Sequence, residues 1–364
     1  MSDEVAARIR AAIEDHGPIG FDEYMELALY SPAGFFHDHP VGADKHFVTS
    51  PHAQPFVFAH CVRGALLETW GALGEPDLLT VVEAGAGDGT LASALLESFT
   101  ALEGGPTVEY TAVEIGTGAA ARLANMGLRV SEGLGDLAPF EGVVVANELL
   151  DNLPFALAQS SGPDAAEIRI GHEGGRFVEV TVPWARPLPR GLAPTIADER
   201  RTTIPFGAIR FVEALAASMR RGAALLIDYG VADGPTGGAH GYRDQRETSD
   251  VLSAPGTTDI TAGVDLSMLA AAADASGLVV HGPVPQAAAL DALGYGRWAE
   301  TMREMRSMLQ RAGRHAEATR VWGARSQASL LVDPAGWGRL WWLVLSTPDL
   351  PRPAWIGEAL EQGR

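Results

Sequence analysis

Amide and carboxylate side chains gather at Asn147, Glu148, Asp151 and Asn152, directly after the apolar run EGVVVAN from Glu141 to Asn147. Such a run reads as a buried strand, and the carboxyl ends of parallel strands are where doubly wound sheets place their chemistry. The ordinary alternative is that these residues shape the turn before Pro154. A second constellation lies upstream in VVEAGAGDGTLASALL, Val81 to Leu96, where Gly85, Gly87 and Gly89 alternate between an apolar strand and an Ala/Leu-rich helix. Alternating glycines let the backbone turn sharply and approach a ligand, and the helix start offers unpaired N–H groups to a polar or anionic group. A dinucleotide fingerprint would need a third glycine at position 90, but Thr90 stands there, which disfavours a nicotinamide-dependent oxidoreductase. The next apolar run, VEYTAVEIG, ends in Glu114, where an acid can reach two ribose hydroxyls or, alternatively, cap a helix beginning near Thr117.

Positioning these residues takes several strands and helices, and a chain of 364 residues, 46% of them apolar, can bury the core this requires. The net charge of -19 makes the surface repel nucleic acid and anionic membrane, so neither is an expected partner. Lys45 is the only lysine, which leaves little scope for Schiff-base chemistry, and the Arg, Ala and Gly skew suggests a GC-rich bacterial genome. Cys61 is the single cysteine, so an intrachain disulfide, a thiolate zinc cluster and a C-x-x-C redox pair are excluded; it falls in a helix-like pattern as a small buried residue. His37, His39, His46 and His52 lack metal-ligand spacing, and no metal is expected. With no long apolar run near the N-terminus or later, the reading is a cytoplasmic protein without a membrane span, with homodimerisation left open.

The chain divides by pattern into four regions. Residues 1–75 carry helix-like stretches at Val5 to Glu14 and Phe21 to Leu29, then an aromatic, Gly, Pro and His-rich loop with Thr49, Ser50 and Pro51 that suggests a cover. Residues 76–154 hold the first half of an α/β sheet, including a strand at Leu128 to Ser131 and a loop with Asp136 and Leu137. Residues 155–207 interrupt it with a hairpin around Gly174 and Gly175. Residues 208–364 complete it: a helix over 208–221, a strand ending at Asp228 and Tyr229, a helix near Asp265 to Ser276, a strand at Leu278 to Val280, helix over 287–318 and a last strand over 340–346. Asp259, Thr261 and Asp265 read as helix-capping residues, and Trp341 and Trp342 as core.

The E-x-G-x-G-x-G pattern with Glu83 at the strand end is similar to the first motif of class I S-adenosylmethionine (SAM) methyltransferases. GPIGFDEYMELALYSPAGFF, FVTSP, EAGAGDGTL, ANELLDNLPF, IDYG, APGTTDITAGVDLSML and LLVDPAGWGRLWWLVLS, in this order over nearly the whole chain, resemble the MidA family of SAM-dependent methyltransferases, which includes the mitochondrial complex I assembly methyltransferase. The resemblance implies a class I methyltransferase fold: a Rossmann-like doubly wound sheet with an N-terminal helical cap and an inserted substrate-facing segment. It implies SAM as cofactor, held by Thr49, Ser50, Pro51, Glu83, Gly85, Gly87, Gly89, Glu114, Asp136, Leu137 and Asn147, and, from the mitochondrial member, methylation of arginine on a protein. The sequence departs from the family at Lys45, His46 and Phe47 before the Thr-Ser-Pro triplet, at His52 after it where Glu is usual, at Ala86 and Asp88 in the glycine motif, and at Gly263.

Methyl transfer from a sulfonium is an in-line displacement that needs no nucleophilic side chain, only acceptor and donor held in line without water. An arginine acceptor, always protonated when free, must be oriented and deprotonated, which suits Glu148 and Asp151 as catalytic carboxylates. Tyr229, Tyr242 and Arg243 follow a strand end and are candidates for acceptor binding. A small-molecule acceptor and an assembly factor that binds SAM with little turnover are the alternatives.

Overall fold

The computed structural model describes residues 2–38, 49–161, 164–187, 201–232, 236–243 and 246–362. Its main sheet has seven strands: β1 (Leu78–Ala84), β2 (Thr107–Val113), β3 (Arg129–Ser131), β4 (Phe140–Asn147), β5 (Met219–Asp228), β6 (Val279–Pro285) and β7 (Trp341–Ser346). They lie in the order β6-β7-β5-β4-β1-β2-β3, with β7 antiparallel to both neighbours and the β3-to-β5 side parallel throughout. The order reverses at β1, so the crevice beyond the carboxyl ends of β1 and β4 is the topological switch point.

Alternation along the strands sends side chains to two cores. Val81, Val143, Val145, Leu225, Ile227 and Trp342 pack with the helices Pro55–Ala72 and Thr90–Thr100 on one face. Val82, Val144, Ala146, Leu226 and Leu343 pack with the helices Phe206–Ser218 and Leu266–Ala275 on the other. Helices on both faces of a mostly parallel sheet make the α/β architecture that the resemblance implies. Two expected boundaries differ. The helix ends at Ser218 instead of 221, because Met219 already pairs with Phe140 in the β4–β5 ladder. The 287–318 stretch is three helices, Gln286–Ala292, Tyr295–Arg311 and His315–Ala328, interrupted where Gly294 and Gly313 adopt positive φ.

A second sheet joins two parts of the chain that the sequence reading kept apart. Ile19–Gly20 pairs with Asp164–Glu173, the centre of the inserted hairpin, which also pairs with Ala156–Ser161 and Arg176–Pro183. Its apolar face shares one core with the N-terminal helices through Phe21, Tyr24, Leu29, Phe155 and Ile168. Beside this core, Arg186 makes two hydrogen bonds to Asp22, at 2.8 and 2.6 Å, and a third at 3.2 Å to the fully buried Glu167, whose other oxygen takes Arg169 at 2.9 Å. The bidentate arginine neutralises carboxylates from both segments.

β4 and β5 approach closely where Gly142 faces Gly222. A Cβ on Gly222 would lie 1.9 Å from the Gly142 carbonyl oxygen. Gly222→Ala is therefore expected to destabilise the fold by about 2 kcal/mol or more, read as a fall in denaturant midpoint, whereas Gly174→Ala in the open hairpin turn meets no such contact. The buried Glu83 on β1 gives a pH signature. Burial pushes its carboxyl up to about 8, against a smaller lowering by the Tyr110 hydroxyl that donates to it at 2.6 Å. In the unfolded chain the group ionises near about 4.3, so its contribution to stability is full below that pH and is lost as pH rises towards about 8. Thermal melts of the wild type against Glu83→Gln should show the variant's stability falling less between pH 5 and 8.

Candidate functional site

The glycine loop after β1 turns on Gly85 and Gly89, both at positive φ. A Cβ at Gly85 would press on Leu149 at 3.0 Å and one at Gly89 on Met126 and Leu123 at 2.8 and 2.9 Å, so side chains are refused here by packing as well as by backbone. The loop is tied to the end of β2: Gly87 donates to one oxygen of Glu114 at 2.9 Å, and Gly116 donates to the other at 2.7 Å. Burial raises the Glu114 carboxyl and these N–H groups pull it back.

The loop borders a cavity of about 470 Å³. Glu83, Gly85, Gly87, Asp88, Glu114, Asn147, Glu148, Thr49 and Pro51 line it, together with Tyr30, Phe36, Arg122 and the Glu132–Leu134 edge. Of the residues expected around a cofactor, Ser50 and Gly89 shape this wall from behind: Ser50 is buried and donates its N–H to Glu148 at 2.9 Å. Asp136 and Leu137 are displaced from the cavity. A 3₁₀ turn, Leu134–Asp136, leaves Asp136 in solvent and turns Leu137 towards the apolar layer, and Glu132 to Leu134 take that edge.

Two departures noted in the sequence meet each other. The Nε2 of His52 contacts Asp88 at 3.1 Å, while the Thr49 N–H donates to its Nδ1 at 3.2 Å. A ring nitrogen that accepts a backbone N–H carries no proton, so His52 donates from Nε2 to Asp88 and joins the Thr-Ser-Pro turn to the glycine loop. Burial alone would raise Asp88, but the His52 and Thr90 hydrogen bonds outweigh it and hold the carboxyl below its usual range. His39, His46, Lys45 and Phe47 lie outside the described residues; among those described, no three His, Cys, Asp or Glu side chains are grouped to hold a metal. Cys61 is buried and its thiol is pushed up to about 12 by burial.

A second cavity, of about 640 Å³, adjoins the first, and Phe36, Thr49, Glu148 and Asn152 line both. Glu148 follows β4 at φ 51°, a conformation costly for a residue with a side chain, fixed by its N–H donating to Ile227 at 2.8 Å. Its carboxylate accepts from Ser50 and from Asn147 at 3.2 Å, and burial lifts it to about 7. Asp151 accepts from Thr261 at 2.8 Å through one oxygen; the other is buried with no partner, and burial raises the group to about 6. Asp228 is held by the N–H groups of Leu149, Leu150 and Tyr229 at 3.0, 2.6 and 2.8 Å, and Asp259 by Asn152 at 2.8 Å. Burial raises both well above the carboxylate range, and their negative neighbours add to it.

Tyr229 and Tyr242 line this second cavity, but Arg243 does not. It is spent on Thr258 at 2.9 and 2.7 Å and on the Asp250 carbonyl at 3.2 Å, bracing a loop. The arginine on the cavity is Arg339, which sequence reasoning missed, with His240 and Trp341 beside it. Asp265 caps its helix as expected, through Ser267 and Met268, but Asp259 and Thr261 lie in a strand paired with His240–Arg243 and line the cavity instead. Trp342 is core, whereas Trp341 is only half-buried and donates to the Gly230 carbonyl at 3.0 Å.

The first cavity fits SAM on its own donors and acceptors. The buried Asn147 Oδ1, which has no partner, and the Glu114 carboxylate can accept from an ammonium and from ribose hydroxyls. The unpartnered, buried Arg122 Nη2 can answer an anionic group. The comparisons agree. The crystal structure of a Burkholderia thailandensis protein bound to S-adenosyl-homocysteine superposes with a TM-score of 0.84 at 29% identity, covering 98% of this chain and 95% of that one. A native crystal structure from the same organism gives 0.82 at 27%, over 98% and 94% of the two chains. The mitochondrial protein arginine methyltransferase NDUFAF7 homolog of Drosophila melanogaster is 26% identical over 92% of this chain and 82% of its own. Human mitochondrial NDUFAF7, also named a protein arginine methyltransferase, is 27% identical over 78% and 71%. Residues 62–284 match the family of S-adenosyl-L-methionine-dependent methyltransferases. This chain belongs to that family and is a SAM-dependent methyltransferase, with SAM as its cofactor.

Proposed function

We propose that this enzyme methylates a nitrogen of an arginine side chain on a protein, with the second cavity receiving the acceptor. The observation that carries the reading is Glu148, a half-buried carboxyl lifted to about 7 that lines both cavities and so faces cofactor and acceptor at once. The names of the relatives, protein arginine methyltransferases, favour arginine among cationic acceptors.

In this reading Glu114 holds the ribose, Asn147 holds the amino-acid portion beside the glycine loop, Glu83 sits behind them, and Thr49 and Pro51 close the side. SAM supplies an electrophilic methyl group on a sulfonium. The unpartnered Asp151 oxygen and Asp259 fix the guanidinium by charge-assisted hydrogen bonds, and Glu148 takes the proton that the nitrogen releases as it is alkylated. A base that titrates near neutrality is ionised when needed and still able to accept a proton. Its strained backbone, anchored on the Ile227 carbonyl, and the Ser50 N–H that donates to its side chain keep the carboxylate aimed at the junction of the two cavities.

The acceptor class is tested by incubating the protein with isotope-labelled SAM and lysate fractions split by size, followed by peptide mass spectrometry. Label on arginine of one or a few proteins is expected; label confined to the small-molecule fraction would move the assignment to a small-molecule methyltransferase. With the labelled protein as substrate, Glu148→Gln should lower kcat by about 10²- to 10⁴-fold while S-adenosylhomocysteine still binds by calorimetry. Because the ionised form is the base, kcat/KM of the wild type should rise with pH and level off above about 7, and this rise should vanish in the variant.

A further inference from the structure

We propose that the second cavity is bipolar: its acceptor carries a carboxylate, held by Arg339, on the same molecule as the cationic nitrogen held by Asp151 and Asp259. This rests on reading that cavity as the acceptor site.

Arg339 lines the cavity, and among the described residues no carboxylate pairs with it and no hydrogen bond engages its guanidinium. What it does touch is the face of Tyr229, with the guanidinium carbon 5.3 Å from the ring centroid. Its backbone is fixed on both sides. Gly338 is wedged so closely that a Cβ would meet the Asp333 carbonyl oxygen at 2.6 Å, and Leu340 is fully buried at the entry to β7. The next residue, Trp341, is pinned to Gly230. The cation is thus presented from a rigid mount.

The same cavity is lined by carboxylates that also lack a cation. Asp151 keeps one buried oxygen without a partner, and no ion pair among the described residues includes Glu148, Asp151, Asp228 or Asp259. An arginine meant to neutralise these acids would be paired with them. Tyr229 and Tyr242 line the same cavity and sense both charges: burial disfavours ionisation of their hydroxyls, the acids add to this and Arg339 opposes it. A cavity of about 640 Å³ also exceeds what a lone guanidinium fills. Acids without a cation, aromatic walls and an unpaired arginine in one cavity suit a ligand that is cationic at one point and anionic at another.

That carboxylate could belong to a free amino acid or to an acidic residue beside the target arginine, and four probes separate the two sources. Calorimetry on protein saturated with S-adenosylhomocysteine would compare L-arginine with agmatine, its decarboxylated form, and acetyl-Arg-Asp-amide with acetyl-Arg-Asn-amide. The carboxylate-bearing member of at least one pair should bind about tenfold tighter, the scale of one charge-assisted hydrogen bond. Arg339→Gln should erase that difference without weakening the neutral partner, and Arg339→Lys should restore part of it. A preference within the first pair only points to a free amino acid, and within the second to an acidic neighbour on a peptide. Equal affinities within both pairs overturn this inference and leave the acceptor reading standing. If no probe binds, the acceptor reading falls and takes the inference with it.

Discussion

Four carboxyls, the half-buried Glu148 and the buried Asp151, Asp228 and Asp259, gather beyond the carboxyl ends of β4 and β5, and among the described residues none has a basic partner. Burying one ionised carboxylate without compensation is costly, and burying several side by side is more so. The surrounding structure answers this with neutral donors: three backbone N–H groups around Asp228, the Thr261 hydroxyl on Asp151, Asn152 on Asp259, Ser50 and Asn147 on Glu148. Donors of this kind lower the cost without cancelling the charge. The site therefore retains a demand for a cation, and an incoming ligand that brings one relieves repulsion already present in the fold.

Meeting that demand requires the two cavities to share a wall. The β4–β5 register sets Asn147 opposite Ile227, so the next residues, Glu148 just past β4 and Asp228 at the end of β5, emerge at the same height. The Thr-Ser-Pro turn supplies the third side: its Ser50 N–H reaches Glu148 across 98 positions of sequence, and its Thr49 faces both cavities. His52 and Asp88 then fasten that turn to the glycine loop, using two positions at which this chain departs from the family pattern. A change at either end leaves the other without this partner.

The parts legible from sequence were those whose signal is local. Alternating glycines after an apolar run, an acid at the next strand end and carboxylates after the fourth strand each follow from residues within a few positions, and the structure lines cavities with Gly85, Gly87, Glu114, Glu148 and Asp151. What pattern could not supply was the partner in space. Arg243 sits in a suggestive loop, but Thr258 and the Asp250 carbonyl occupy it, whereas Arg339, more than a hundred residues from Tyr229, arrives on the cavity by way of β7. Asp259 and Thr261 looked like capping residues because a helix follows shortly after; their pairing with His240–Arg243 turns them inward instead. Asp136 lay in the right loop, but a single 3₁₀ turn was enough to direct it outward.

The joint between the N-terminal helices and the inserted hairpin has an evolutionary consequence. Asp22 and Glu167 share one arginine, Arg186, and Phe21 stacks on Phe155 with centroids 5.5 Å apart. Segments separated by more than a hundred residues thus form a single module, which lineages can alter only by paired substitutions. A chimera that exchanged the first forty residues with those of a relative, keeping this hairpin, would inherit mismatched halves and fail at the seam before any change in specificity could be read.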